Sequence, residues 1–381
     1  MTRLTTYTLL IGLLTLLPAG LFAQTAIVQV GEQWRLYDLQ KGDFISEAYD
    51  NLQILGRTRV AFRKTADSDY GIMDASGKVL LEPTYQNISS YVNGFAFGTE
   101  GYIGYWAIDT NGQRAFDQRF SNIGDFSAPT ADCPSLAAAG HDGYPQIGYM
   151  NTEGEFVHDA VYETALNFRE GKVLARLSDG SVFVLNCDGT RRKLDLDLDI
   201  IGDVSDGLVA AKPVGNKHYG YINLKGEFVI APQFTGAGNF INGLAIVNTD
   251  YKYGLINKQG DVILPTAHRL IYRGPGPVFL VNLGPEGFQL FDAKGQPVNK
   301  ALYTSAKAFE EGFFAVQTEA GGNFLRPEGT LLLKPGYTST QSFRNAYAAV
   351  ELDELFGLID QNGKEVLKPQ FEAIKGVIIS D

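Results

Sequence analysis

The chain alternates short apolar runs with short polar breaks, and the runs are too brief for helices. In residues 241–268, Gly243-Leu244-Ala245-Ile246-Val247-Asn248 is one run and Tyr253-Gly254-Leu255-Ile256-Asn257 is the next, with Thr249 to Tyr251 as the polar break between them. Lys258-Gln259-Gly260 follows, and a third run, Asp261-Val262-Ile263-Leu264, ends at Pro265. Short runs rich in β-formers and bounded by Gly, Asn and Pro read as strands. The pattern predicts three antiparallel strands joined by two hairpins, with Gly260 at a turn position that needs positive φ.

The same order recurs along the chain. First runs return as Gly94-Phe95-Ala96-Phe97, Gly207-Leu208-Val209-Ala210, Gly312-Phe313-Phe314-Ala315-Val316 and Tyr347-Ala348-Ala349-Val350. Third runs return as Val79-Leu80-Leu81, Phe228-Val229-Ile230 and Glu365-Val366-Leu367. The turn glycine stands at 42, 77, 112, 154, 189, 226, 260, 295, 329 and 363, at intervals of 34 to 42 residues. A fixed period of this size marks a stack of small units, each too small to bury its apolar face alone. Proline and then an aromatic close many copies, as in Pro83 with Tyr85, Pro232 with Phe234, Pro335 with Tyr337 and Pro369 with Phe371. Proline is expected to stop the strand because it donates nothing to the ladder. The mid-strand glycine of the Tyr-Gly pairs is expected to let a ring or a neighbouring backbone lie close above it.

The fold class expected is all-β: one array over residues 24–381 of about ten three-stranded antiparallel units of ~35 residues. An open, curved or superhelical array is favoured. A closed propeller-like ring is the alternative, since its blades usually need a fourth strand. The first copy, Trp34 to Gly42, and the third, Ile103-Gly104 to Gly112, carry extra residues. The fifth, eighth and ninth show Val182-Phe183, Phe288-Gln289 and Gly322-Asn323 in place of Tyr-Gly. Drift at the first copy suits a terminal cap; drift inside the array reads as relaxation or as a binding face.

Residues 1–23 break the pattern. Arg3 is the lone charge, an apolar run spans Leu9 to Leu17, and Pro18-Ala19-Gly20 precede Leu21-Phe22-Ala23. This is the layout of a secretory signal peptide, too short for a membrane span. The protein is therefore expected to be exported, periplasmic or extracellular, without stable membrane insertion. Net charge is −11, and −12 once residues 1–23 are removed. So acidic a chain without basic clusters disfavours nucleic acid and anionic lipid as partners. Cys133 and Cys187 are either a disulfide, as an oxidising compartment permits, or two independent thiols.

Tyr70-Gly71, Tyr219-Gly220, Tyr253-Gly254 and Phe356-Gly357, with the turn glycines and the closing Pro-x-aromatic, resemble the WG repeat family. The family name marks a tryptophan where this chain has tyrosine or phenylalanine. The resemblance covers about nine-tenths of the chain beyond residue 23. It implies a bacterial, often exported, all-β array, no enzymatic activity and no catalytic residues to carry over.

Residues that could carry chemistry are sparse. His141, His158, His218 and His268 are not at metal-ligand spacing, and His268 stands near where other copies place their closing aromatic. No nucleophile elbow, Walker loop or dinucleotide fingerprint occurs. Alternation in Leu194-Asp195-Leu196-Asp197-Leu198-Asp199 is expected to put three carboxylates on one strand face. Asp195, Asp197 and Asp199 are weak metal candidates; a solvated strand face is the favoured reading. Glu310-Glu311 and Asp353-Glu354 could pair as glycosidase acids, but they sit in inter-repeat loops where acids are common. No cofactor is called for. The expectation is a non-enzymatic binding or scaffold protein for an unknown protein or glycan partner. An envelope-polysaccharide-acting enzyme and a purely structural spacer are the alternatives.

Overall fold

The computed structural model describes residues 24–101 and 104–380. The leader read in residues 1–23, and Ile103 of the third repeat, lie outside the described residues. The structure is all-β, with ten small antiparallel sheets as blades and one 3-10 turn, Gly284–Glu286. Blade seven shows the strand order: Gly236–Ala237, Leu244–Thr249, Lys252–Asn257 and Val262–His268 pair in that order.

The blades close into a ring, so the open array gives way to the alternative. Blade one takes its first strand, Ala373–Ile379, from the C-terminus and its other three from the N-terminus. Gln24 pairs with Ile379 and Ala26 with Val377. Ten apolar clusters each join one blade to the next. The one around Val28, Ala349, Leu358, Phe371 and Val377 seals blade ten to blade one. Burial of those faces, at about 25 cal/mol per Å² of apolar surface, is the main drive for closure. The first copy is therefore not a terminal cap, because no blade is terminal.

Seven sheets have four strands where three were expected. The extra strand is the first of each blade, and in blades five, seven and ten it is only two residues long, as in Ser339–Thr340. In blades three, eight and nine the fourth strand shrinks to bridges such as Ile108 to Arg114 and Leu325 to Leu331. Proline does not stop the fourth strand. Phe228–Phe234 runs through Pro232 and Glu365–Phe371 through Pro369. Both are edge strands, where a missing N–H leaves no ladder bond unmade.

Each proline lies in a bulge. Tyr219 pairs with Phe234 and Tyr221 with Ile230, so one residue of the third strand faces three of the fourth. The intervening Gly220 sits beneath the bulge backbone. A Cβ there would lie 2.4 Å from the Ile230 carbonyl oxygen and 2.8 Å from the Pro232 nitrogen. Gly357 meets the same crowding, 2.4 Å from the Leu367 oxygen. The neighbour over the Tyr-Gly glycine is thus backbone at Gly220, Gly254 and Gly357, whereas Gly71 has both the Phe62 ring, 2.5 Å from a Cβ, and the Leu81 oxygen at 2.6 Å. The ten turn glycines all have positive φ. The Asp or Asn ahead of most of them accepts amide hydrogen bonds two and four residues on, as Asp74 does from Ser76 and Lys78.

Blades are also stitched through their first-to-second-strand turns. Glu170 accepts the amides of Asp206 and Gly207, at 2.7 and 3.1 Å, and Asp206 accepts that of Gly243 at 2.6 Å. Glu311 accepts the amides of Asn345 and Ala346, both at 2.7 Å. The Asn345 amide donates to the carbonyls of Val377 and Gly56 across the closure. One cavity draws on Val92, Phe126, Arg169 and Ser205, from four successive blades, which places the first-strand edges around the axis.

Candidate binding face

Antiparallel meanders put the turns after the first and third strands at one end of every blade. The second-to-third-strand links lie at the other. These links are acidic almost without interruption. Glu32, Asp67, Glu100, Asp142, Asp179, Asp250, Glu286, Glu319 and Asp353 each occupy a different link, with Asp69 and Glu354 as second acids. The bases within the same links are Lys64 and Lys217. Glu100 and Asp142 are partly neutralised by Arg114 and Arg119, whereas the other acids are exposed. Hydrogen bonds from Ser181 hold the Asp179 carboxyl below its usual range.

The opposite end is different. Its turns after the third strand mix signs, with Lys41, Lys78, Lys225, Lys258 and Lys364 among their acids. Its first-to-second-turn acids Glu170, Asp206 and Glu311 are engaged by backbone amides. The acidic face also carries exposed apolar side chains: Tyr251 is 90% exposed, Tyr144 64% and Val214 63%. Val30, Leu352 and Leu355 flank the links of blades one and ten and are exposed too. Acid and apolar groups together make a surface that repels anions and can bury hydrocarbon.

The residues singled out by motif and spacing fall elsewhere. Asp195, Asp197 and Asp199 do not share one strand: blade five ends with Arg191–Lys193 and blade six begins with Leu198–Ser205. The alternation survives only as burial, with the three aspartates exposed and Leu194 and Leu198 buried. Asp199 pairs with Lys212 at 2.8 Å, which holds its carboxyl below the usual range. Among the described residues, no group of three or more His, Cys, Asp or Glu is placed to hold a metal ion. Glu310 ends the first strand of blade nine with Glu311 in the turn beyond it, while Asp353-Glu354 form the blade-ten link on the acidic face.

His268 pairs with Tyr253 in register, as Phe371 does with Phe356, so it fills the aromatic position. Burial lowers its pKa. His158 is buried against the Asn186 carbonyl at 2.8 Å, His141 lies against Phe156 with the rings tilted by 38°, and His218 lies in the blade-six link. Cys133 and Cys187 are joined as a disulfide between blades four and five, with Cα atoms 5.6 Å apart. No described helix is long and apolar enough to cross a membrane.

The family described as a WG containing repeat matches residues 70–97, 147–180, 219–253, 290–320 and 356–377. The chain carries WG repeats. The tyrosine and phenylalanine variants of the aromatic-glycine pair start three of those segments. No curated relative matches the sequence. Among solved structures, a eukaryotic initiation factor is similar at 11% identity and TM-score 0.49, over 94% of this chain and 98% of its own. BamB from Moraxella catarrhalis is similar at 12% identity and TM-score 0.35, over 85% of this chain and 89% of its own. The computationally designed Ika8 protein is similar at 14% identity and TM-score 0.41, over 74% and 93%. Likenesses this distant carry no functional argument.

Nothing in the repeat pattern pointed to the acidic face, because its members look like ordinary loop acids until topology gathers them. The signal available was that nearly every link between the first and second apolar runs holds a carboxylate.

Proposed function

We propose that the WG-repeat ring is an exported, non-enzymatic binding protein that docks a cationic polypeptide on its acidic face. The difference in charge between the two ends of the blades carries this reading. A surface of one sign steers an opposite partner and rejects like-charged ones, and the exposed tyrosines and aliphatics supply area to bury once contact is made. Export is supported by the leader pattern of residues 1–23 and by the Cys133–Cys187 pair, since disulfides persist in oxidising compartments. The ring suits a scaffold role because its blades are locked to one another through the turns at the opposite end, which holds the acidic links in fixed positions.

The test is binding of the chain from Gln24 onward to labelled polylysine and polyglutamate of matched length across a salt series. Polylysine is expected to bind, with affinity falling as salt rises. Neutralising Asp353 and Glu354 should weaken it more than neutralising Glu153 and Glu328 on the opposite end. Equal binding of both polymers, or equal loss from both pairs, would overturn the proposal. Turnover of an envelope polysaccharide would favour the enzyme alternative instead.

A further inference from the structure

Blade seven departs from its siblings at the rim of the acidic face. The segment around its first strand reads Thr235-Gly236-Ala237-Gly238. Gly236 pairs with Asn248, and the matching position holds Asn51 in blade two, Asn87 in blade three, Asn122 in blade four, Ser305 in blade nine and Ser339 in blade ten. Two residues on, Gly238 matches Gln53, Ser89, Lys307 and Gln341 of blades two, three, nine and ten, while blades four and six also have glycine there, Gly124 and Gly202, so the loss particular to blade seven is at Gly236. The missing side chains open a cavity of about 630 Å³ with Gly236, Ala237 and Gly238 as its floor.

Asn248, Asp250, Tyr251 and Tyr253 line the same cavity. The Thr235 hydroxyl donates to Asn248 Oδ1 at 2.6 Å and accepts the Asp250 amide at 3.1 Å, tying the link to the glycine strand. Asp250 and Tyr251 are both left-handed, at φ 48° and 63°. Such a backbone is unusual for a bulky residue, and here it holds a tyrosine 90% exposed where blade ten has Glu354. Strain that lifts an aromatic side chain into solvent contributes nothing to the core.

We infer that this cavity is an anchoring site for the guanidinium or ammonium side chain of a bound polypeptide. The cavity supplies the Asp250 carboxylate and two phenol faces, the groups that attract a cation carried on a hydrocarbon stem. None of its lining residues is cationic, and the neighbouring Lys252 alternates to the other side of its strand from Tyr253. An anionic group would meet Asp250 with nothing to offset it. This inference rests on the acidic face receiving a cationic polypeptide, and names where one of its side chains is held.

The probes are fluorescein-labelled nonapeptides alternating glycine with arginine, lysine or glutamate, read by fluorescence anisotropy against the chain from Gln24 onward. Gly236→Ser fills the floor with a side chain that blade ten already accommodates, and Tyr251→Asn keeps a residue suited to the left-handed turn. An unchanged melting midpoint in both variants shows that the ring is intact. Each substitution should weaken the arginine peptide about tenfold at both low and high salt, because a seated side chain is screened little. Asp353→Asn with Glu354→Gln should weaken it mainly at low salt. If the pocket variants bind as the parent does while the blade-ten variant loses affinity, the anchoring site falls and the face reading stands. If no cationic peptide binds, both fall. If chitotriose binds and either pocket variant abolishes it, the cavity is a saccharide site and the inference is overturned.

Discussion

Gly254 offers the most direct test of why an aromatic-glycine pair recurs in this fold. It pairs with Val247 on one side and lies under the bulge at Pro265 on the other. A Cβ there would stand 2.7 Å from the Leu264 oxygen, 2.8 Å from the Thr266 nitrogen and 2.9 Å from the Pro265 carbonyl carbon. All three are backbone atoms, so no side chain can swing aside. The bulge is pinned by Leu255 with Leu264 and by Tyr253 with His268, which limits its retreat. Gly254→Val should therefore cost about 1–3 kcal/mol by overpacking, and Gly254→Ala toward the lower end of that range. Thermal and urea unfolding of the chain from Gln24 onward would read the loss. A second change separates crowding from poor β-propensity. Removing Pro265 and Thr266 converts the bulge to regular pairing, in which a Cβ has room. Gly254→Val in that background should cost far less than alone, giving a coupling of about 1 kcal/mol or more in a double-mutant cycle. Strict additivity, or an unchanged midpoint for Gly254→Val, would refute the crowding argument.

Other expectations follow from the blade contacts. Tyr149 is buried in blade four with its hydroxyl donating to the Leu166 carbonyl at 2.6 Å, so Tyr149→Phe should cost about 1–3 kcal/mol by orphaning that carbonyl, measured by urea unfolding. Asn345→Ala removes the two amide bonds across the closure, and hydrogen exchange should rise first in Ala373–Ile379; uniform exchange around the ring would contradict a closure role. Reduction of Cys133–Cys187, which spans 54 residues, should destabilise by about 2–4 kcal/mol, and the Cys133→Ser, Cys187→Ser double variant should then be insensitive to reductant. Burial raises the Asp38 pKa, but the Lys41 and Gln40 amides and the Lys41 charge outweigh it and leave it below 3.8. A depressed carboxyl stabilises the fold above its unfolded pKa and loses that contribution as pH falls through the folded one, so Asp38→Asn should flatten the acid limb of a stability profile below about pH 3.8.

The parts of this fold legible in sequence are those set by local backbone physics. The positive-φ glycines from Gly42 to Gly363 had to be glycine whatever surrounded them, so the period survived even where Tyr-Gly had become Gly322-Asn323. The crowded Gly254 was legible for the same reason, although the sequence left open whether ring or backbone lay above it. The additional first strand escaped notice because in blades such as the seventh it is short: Gly236–Ala237 is two residues long and reads as a break. Closure stood only as the alternative because the pairing of Gln24 with Ile379 joins the two ends of the array, and no spacing within a repeat encodes it. The aspartates at 195, 197 and 199 misled through their period. The burial alternation is real, yet it crosses from one blade to the next, and only the ring shows that Leu194 and Leu198 serve one inter-blade core while Asp199 turns to Lys212. The candidate face is the extreme case. Each of its acids is ordinary in its own link, and a site emerges because ten copies of one turn are brought to one end of the blades. In a repeat ring, then, function is best sought where one copy breaks the local rule without a packing reason, and Gly236 and Tyr251 break it together at one rim.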